Sequence, residues 1–147
     1  MGIMREILFR GKRADNGEWV EGDLDRGLFA NIDFISYFKT IGERVSYEVS
    51  PETVGQYTGL CDKNGKKVFE GDVIRTLYAN CPKNKHIDKV EFFDGSFLAT
   101  NGGGLYAKIS GLGSSKPMAN DMSVHMIECE IIGNIHDNPE LFKGGAE

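Results

Sequence analysis

The chain has 147 residues, 40% hydrophobic and 27% charged, which is enough for a real core in about one domain or two small ones. Seventeen basic residues against 22 acidic ones give a net charge of −5, which argues against a large uniform phosphate-binding surface. No run approaches the roughly 20 apolar residues that span a bilayer, and the N-terminus "MGIMREILFRGKR" carries charge where a signal peptide needs an apolar stretch, so neither secretion nor membrane insertion is expected.

Nineteen glycines and only four prolines punctuate short segments rich in β-branched and aromatic residues, a pattern of many short strands. The first hairpin is expected at about residues 5–24, with "REILFRGKR" and "EWVEGDL" flanking an Asn16-Gly17 turn. "GLFANIDFISYFKT" fits a helical turn or a buried strand equally well, because periodicity alone does not separate the two in a short apolar run. "RVSYEV" (44–49) alternates as a strand. "SPET" (50–53) then offers Ser50 as a cap and Pro51 as the first residue of one helical turn before the strand "QYTGL".

In "CDKNGKKVFEGDVIR" (61–75), Asp62 to Gly65 reads as a turn, Lys66 to Phe69 as a returning strand, and Glu70-Gly71-Asp72 as a bend into Val73 and Ile74. "CPKNKHIDK" (81–89) reads as a solvated loop because of its Pro and Asn. "KVEFFD" and "SFLAT" form a hairpin around Asp94-Gly95, and "NGGGLYAKISGLGSSKP" (101–117) is a Gly- and Ser-rich connection. "HMIECEIIGNI" (125–135) is the last strand, and Asn138 and Pro139 then open a short terminal helix. "DNGEWVEGDL" and "DKNGKKVFEGDV" share a turn and a Glu-Gly-Asp step, but such steps recur by chance in β proteins and duplication is not favoured.

The chemistry-bearing residues fit no established catalytic or metal pattern. A calcium loop starting at Asp62 would need a ligand at Lys66, Gly at Lys67 and Glu at Val73, and it fails at all three. Glu70 and Asp72 would share one side of a regular strand, where neighbouring carboxylates shift each other's pKa, but Gly71 between them favours a turn. Cys61, Cys81 and Cys129 are an odd number without C-x-x-C spacing, and His86, His125 and His136 lack metal-ligand spacing. His125 and Cys129 share a strand face, but nothing nearby marks an activated thiol. "SGLGSSKP" lacks the third Gly of a dinucleotide loop and the G-K-[ST] of a P-loop. The reading is of a protein with no catalytic residues, metal or cofactor.

"TVGQYTGLCDKNGKKVFEGDVI" (53–74), with "FRGKRADNGEWVEGDL" (9–24) and "IIGNIHDNPELF" (131–142), resembles the YopX-like proteins encoded by phages and prophages, mostly of Gram-positive bacteria. The resemblance covers nearly the whole chain. It implies a mainly β fold, a phage or prophage setting and a cytoplasmic location in the bacterial host, and it carries over no catalytic residue.

The expected fold is mainly β. A hairpin-rich N-terminal region (1–60) packs on a small SH3-like β-barrel region (61–147) as one unit, with one or two short helical turns. The expected function is that of a non-enzymatic accessory protein binding a phage or host protein. The alternative is nucleic-acid binding through a local patch of Lys83, Lys85, His86 and Lys89. An unrecognised hydrolase using Glu70 and Asp72 ranks last.

Overall fold

The computed structural model describes residues 5–27, 32–78, 81–93, 95–100, 106–108 and 126–141. Its strands are β1 (Phe9–Lys12), β2 (Trp19–Arg26), β3 (Asp33–Thr40), β4 (Glu43–Val49), β5 (Gly55–Cys61), β6 (Lys67–Phe69), β7 (Asp72–Tyr78), β8 (Cys81–Phe93), β9 (Ser96–Thr100), β10 (Tyr106–Lys108) and β11 (Met126–Asn134). Two single 3-10 turns, Pro51–Thr53 and Pro139–Leu141, are the helical elements among the described residues. The fold is mainly β, built on two antiparallel sheets. The chain divides into two compact units, Met1–Gly59 and Leu60–Glu147.

The N-terminal unit has the strand order β4-β3-β2-β1-β5, paired antiparallel throughout. The ambiguous aromatic segment is a strand from Asp33, with Ile35 fully buried and Val49 and Tyr57 also in the unit's core. Tertiary pairing on both sides of β3 decides between helix and strand, which the local apolar spacing cannot do. Ser50 makes no side-chain cap to the 3-10 turn. Thr53 closes it instead, its hydroxyl donating to the Ser50 carbonyl at 2.6 Å and accepting the Lys12 N–H at 2.9 Å.

In the C-terminal unit the five-stranded order is β10-β9-β8-β7-β11. Val68, Ile74, Val90, Ala99 and Cys129 form its core, with Ile131 packed against them. Fully burying each aliphatic side chain contributes roughly 1.5–3 kcal/mol. Three expectations change here. "CPKNKHIDK" is the first part of the 13-residue β8, paired with β7 from Lys85 to Lys89, and only the stretch around Pro82 to Asn84 is irregular. Tyr106–Lys108, inside the expected Gly-rich connection, is a strand on β9, and the rest of 101–117 lies outside the described residues. Asn138 does not cap forward with its side chain, whose oxygen accepts the Asn134 N–H at 3.3 Å.

The two look-alike Glu-Gly-Asp steps are built differently. Gly22 lies inside β2, and a Cβ added there would sit 2.2 Å from the Ser36 carbonyl oxygen, so only glycine lets β3 come so close. Gly71 has φ 95° and turns the chain between β6 and β7. Gly22→Ala is expected to lower stability by about 3 kcal/mol, because the clash is with backbone and cannot relax by rotamer change. The midpoint of urea unfolding reads this directly, and an unchanged midpoint would contradict the packing described.

Candidate functional site

The stretch from Cys61 to Arg75 is rich in charge, and two of its three carboxylates, Asp62 and Asp72, are buried. Asp62, 6% exposed, accepts the N–H groups of Asn64 and Lys66 on Oδ1, both at 2.9 Å, and that of Ile131 on Oδ2 at 3.0 Å. Burial by itself would push this carboxyl up, but the N–H groups of Ile131, Lys66 and Asn64 outweigh it and hold the pKa below the usual carboxylate range. The Lys63 N–H adds a second tie to β11, donating to the Cys129 carbonyl at 2.9 Å.

Asp72 is almost wholly buried, and its Oδ2 accepts the Phe69 N–H at 2.8 Å. Glu70 lies in the turn ahead of Gly71, so the two carboxylates do not line one face of a regular strand. Gly71 donates its N–H to Val90 and accepts that of Ile135, joining the turn to β8 and to the end of β11. Asp88, also buried, accepts the Thr76 hydroxyl at 2.6 Å. These acids carry backbone and hydroxyl hydrogen bonds, which offset the cost of burying charge.

Cys129 sits among them. Burial, and then the negative charge of Asp62, Asp72, Asp88 and Glu130, pushes its thiol up to about 12, the reverse of what an activated nucleophile requires. His125, its expected strand-face neighbour, lies outside the described residues. Among the described residues no group of three His, Cys, Asp or Glu side chains is placed to hold a metal ion.

The outward face of the same sheet carries the basic residues. Alternation along β8 puts Lys85 and Lys89 on the face opposite buried Asp88 and Val90, and His86 on the inward face. Lys83 is exposed and falls in the stretch where the β7–β8 register shifts. Lys85 pairs with Glu128 at 3.3 Å and Lys89 with Glu91 at 3.5 Å. Glu128 also meets Lys63 at 3.2 Å, and hydrogen bonds from Lys63 and Lys85 hold its pKa below the usual range. Arg75 reaches Glu130 at 3.2 Å. The four predicted patch residues therefore do not form one continuous basic surface.

What sequence reasoning missed is the exposure of the aromatic rings at the β8–β9 hairpin. Phe92 and Phe93 are 52% and 59% exposed, and Phe92 meets Phe97 edge-on with ring centres 5.1 Å apart. The signal was the double Phe before Asp94-Gly95, where alternation sends one ring to each face at the end of the sheet.

Two outcomes follow from this geometry. Asp62→Asn replaces an acceptor facing the Ile131 N–H by an amide that can present only one oxygen, and is expected to cost about 2–3 kcal/mol at neutral pH. Because the folded-state pKa of Asp62 is lowered, its contribution is present above the ordinary carboxylate value of about 3.9 and lost as pH falls through the folded value. The stability gap between wild type and Asp62→Asn, measured by urea unfolding, should therefore be widest at neutral pH and close in acid. Second, native alkylation at pH 8 followed by peptide mapping should modify exposed Cys61 and spare Cys129, which reacts only after unfolding.

No curated protein matches the chain. Among solved structures it is similar to a protein from Enterococcus faecalis, described as "Crystal structure of protein EF1440", with 23% identity, a TM-score of 0.47, and coverage of 95% of this chain and 100% of that one. The family described as "YopX protein" matches residues 8–143, and the chain belongs to that family.

Proposed function

We propose that this chain is a non-enzymatic accessory protein that works by binding another protein, and that it belongs to a phage or prophage and acts in the cytoplasm of the bacterial host. The observation that carries the binding reading is the exposed Phe92 ring, edge-on against Phe97, at the β8–β9 hairpin, with Phe93 exposed on the opposite face. Large aromatic side chains held on a rigid strand pair lose little conformational entropy on contact, which suits them to anchor a protein interface. The engaged carboxylates support the same reading, since Asp62, Asp72 and Asp88 all serve the fold through hydrogen bonds. The five-strand order β10-β9-β8-β7-β11, in which β11 follows a long connection, fits a small SH3-like barrel, a scaffold that serves many binding functions.

The nucleic-acid alternative, through Lys83, Lys85, His86 and Lys89, stands second because Lys85 and Lys89 already have carboxylate partners. It would require binding that weakens steeply with salt.

The test is a crosslinking pull-down from induced host cells with wild type and with the Phe92→Ser/Phe93→Ser double variant. Wild type should recover a partner at near-equal stoichiometry, and the double variant, with an unchanged thermal midpoint, should lose it at least tenfold, as expected for anchor residues worth about 2 kcal/mol. A partner held equally by both would remove the aromatic rings from the interface. A gel shift at low ionic strength that depends on Lys83 and Lys85 would favour the alternative.

A further inference from the structure

The N-terminal unit ends at β4, an edge strand, and the geometry points to that edge as a strand-addition site for an extended peptide segment carrying a basic side chain. This rests on the protein-binding reading but uses a different surface, in the other unit, from the aromatic rings.

The phase of the edge is fixed by one hydrogen bond. Ala14 donates its N–H to the Glu48 carbonyl at 2.9 Å, and Arg13 bridges Val49, so the backbone groups of Glu48 face away from β3. In an antiparallel strand these directions alternate, and the β3–β4 register runs without a break from Arg44 to Val49. The N–H and C=O groups of Ser46 and Arg44 therefore also face outward. After Ala14 the chain turns away at Asp15 to Gly17, leaving the edge open from Ser46 back to Arg44.

At the closed end of this edge lies a cleft of about 260 Å³ lined by Ala14, Asp15, Tyr47 and Glu48. An extended segment hydrogen-bonded along Arg44 and Ser46 arrives at this cleft with its next side chain. Two of the four lining residues are acids and a third is a tyrosine. The ring of Tyr47 already takes a cation, with the Arg13 guanidinium 3.9 Å from its centre, and Asp15 is held in place by two hydrogen bonds from that same group at 2.7 and 3.0 Å. Arg13 already occupies Asp15 and the Tyr47 ring, so the exposed Glu48 carboxylate is the acid that selects lysine or arginine in the incoming segment.

The probe is a capped hexapeptide of alternating valine and threonine with one central lysine, titrated into the full chain and followed by backbone amide NMR. The amides of Arg44 and Ser46 should shift, and the same peptide with glutamate in place of lysine should bind about fivefold more weakly, as expected when one exposed attraction to Glu48 becomes a repulsion. Glu48→Lys should abolish or reverse that preference while leaving the chain folded. Ser46→Pro removes an outward N–H while leaving the backbone pairing to β3, and should eliminate binding; Ser46→Ala, which loses only the hydroxyl contact with Ser36 at 3.0 Å, should retain it. Equal affinity for the lysine and glutamate peptides would overturn the basic assignment, and binding retained in Ser46→Pro, or no shift at Arg44 and Ser46 with millimolar peptide, would overturn strand addition. Either failure leaves the crosslinking result at Phe92 and Phe93 unaffected, so the two readings fall separately.

Discussion

The Asp62 carboxylate is the contact on which the C-terminal unit depends. β11 is the last strand of its sheet and would otherwise present unpaired backbone groups along its outer side. The turn that begins at Asp62 supplies them: Oδ2 takes the N–H of Ile131, and the neighbouring Lys63 N–H gives a bond to the carbonyl of Cys129. A side-chain oxygen and a backbone N–H thus do the work of an adjoining strand. Because the other oxygen of the same carboxylate organises Asn64 and Lys66, the turn and the edge form together. That explains why a charge is buried here at all. An amide or hydroxyl of similar size cannot accept on both sides without leaving a buried N–H unpaired.

The same logic accounts for the environment of Cys129. The strand that Asp62 holds carries Cys129 toward the core, where Asp72 and Asp88 are also engaged in hydrogen bonds, and the thiol is surrounded by negative charge. An arrangement of acids and a cysteine that looks in sequence like the raw material of a reactive centre becomes, once its hydrogen bonds are assigned, a shell that keeps the thiol protonated. The lysines and Arg75 on the opposite face meet Glu128, Glu130 and Glu91, so the net charge of the chain says little about the potential of any one surface.

How much of this was legible in the sequence follows the range of each interaction. The Asn64-Gly65 turn, the hairpin at Asp94-Gly95 and the single turn at Pro51 are local, set by residues within four positions of one another, and were readable. The tie from Asp62 to Ile131 spans 69 positions and leaves no local mark, so the turn was visible while its purpose was not. "CPKNKHIDK" misled for a related reason. Its Pro, Asn and charges favour a loop, yet Asp88 finds the hydroxyl of Thr76 across the sheet, and that partner makes a buried acid compatible with a central strand. The paired Glu-Gly-Asp motifs carry the same lesson: identical letters answer a close approach to β3 at Gly22 and a positive φ at Gly71.

The distribution of polar groups then bears on what kind of function each unit can support. In the C-terminal unit the carboxylates are held by backbone N–H groups and by Thr76, and moving any of them toward a substrate would break a buried bond at a cost of about 1–3 kcal/mol. Contact made through aromatic rings at a hairpin, or through the outward backbone groups of an edge strand, carries no such cost, because the groups involved already face solvent. The C-terminal unit thus engages its buried acids in hydrogen bonds and leaves aromatic side chains exposed at a hairpin, while the N-terminal unit turns the outward backbone groups of an edge strand to solvent.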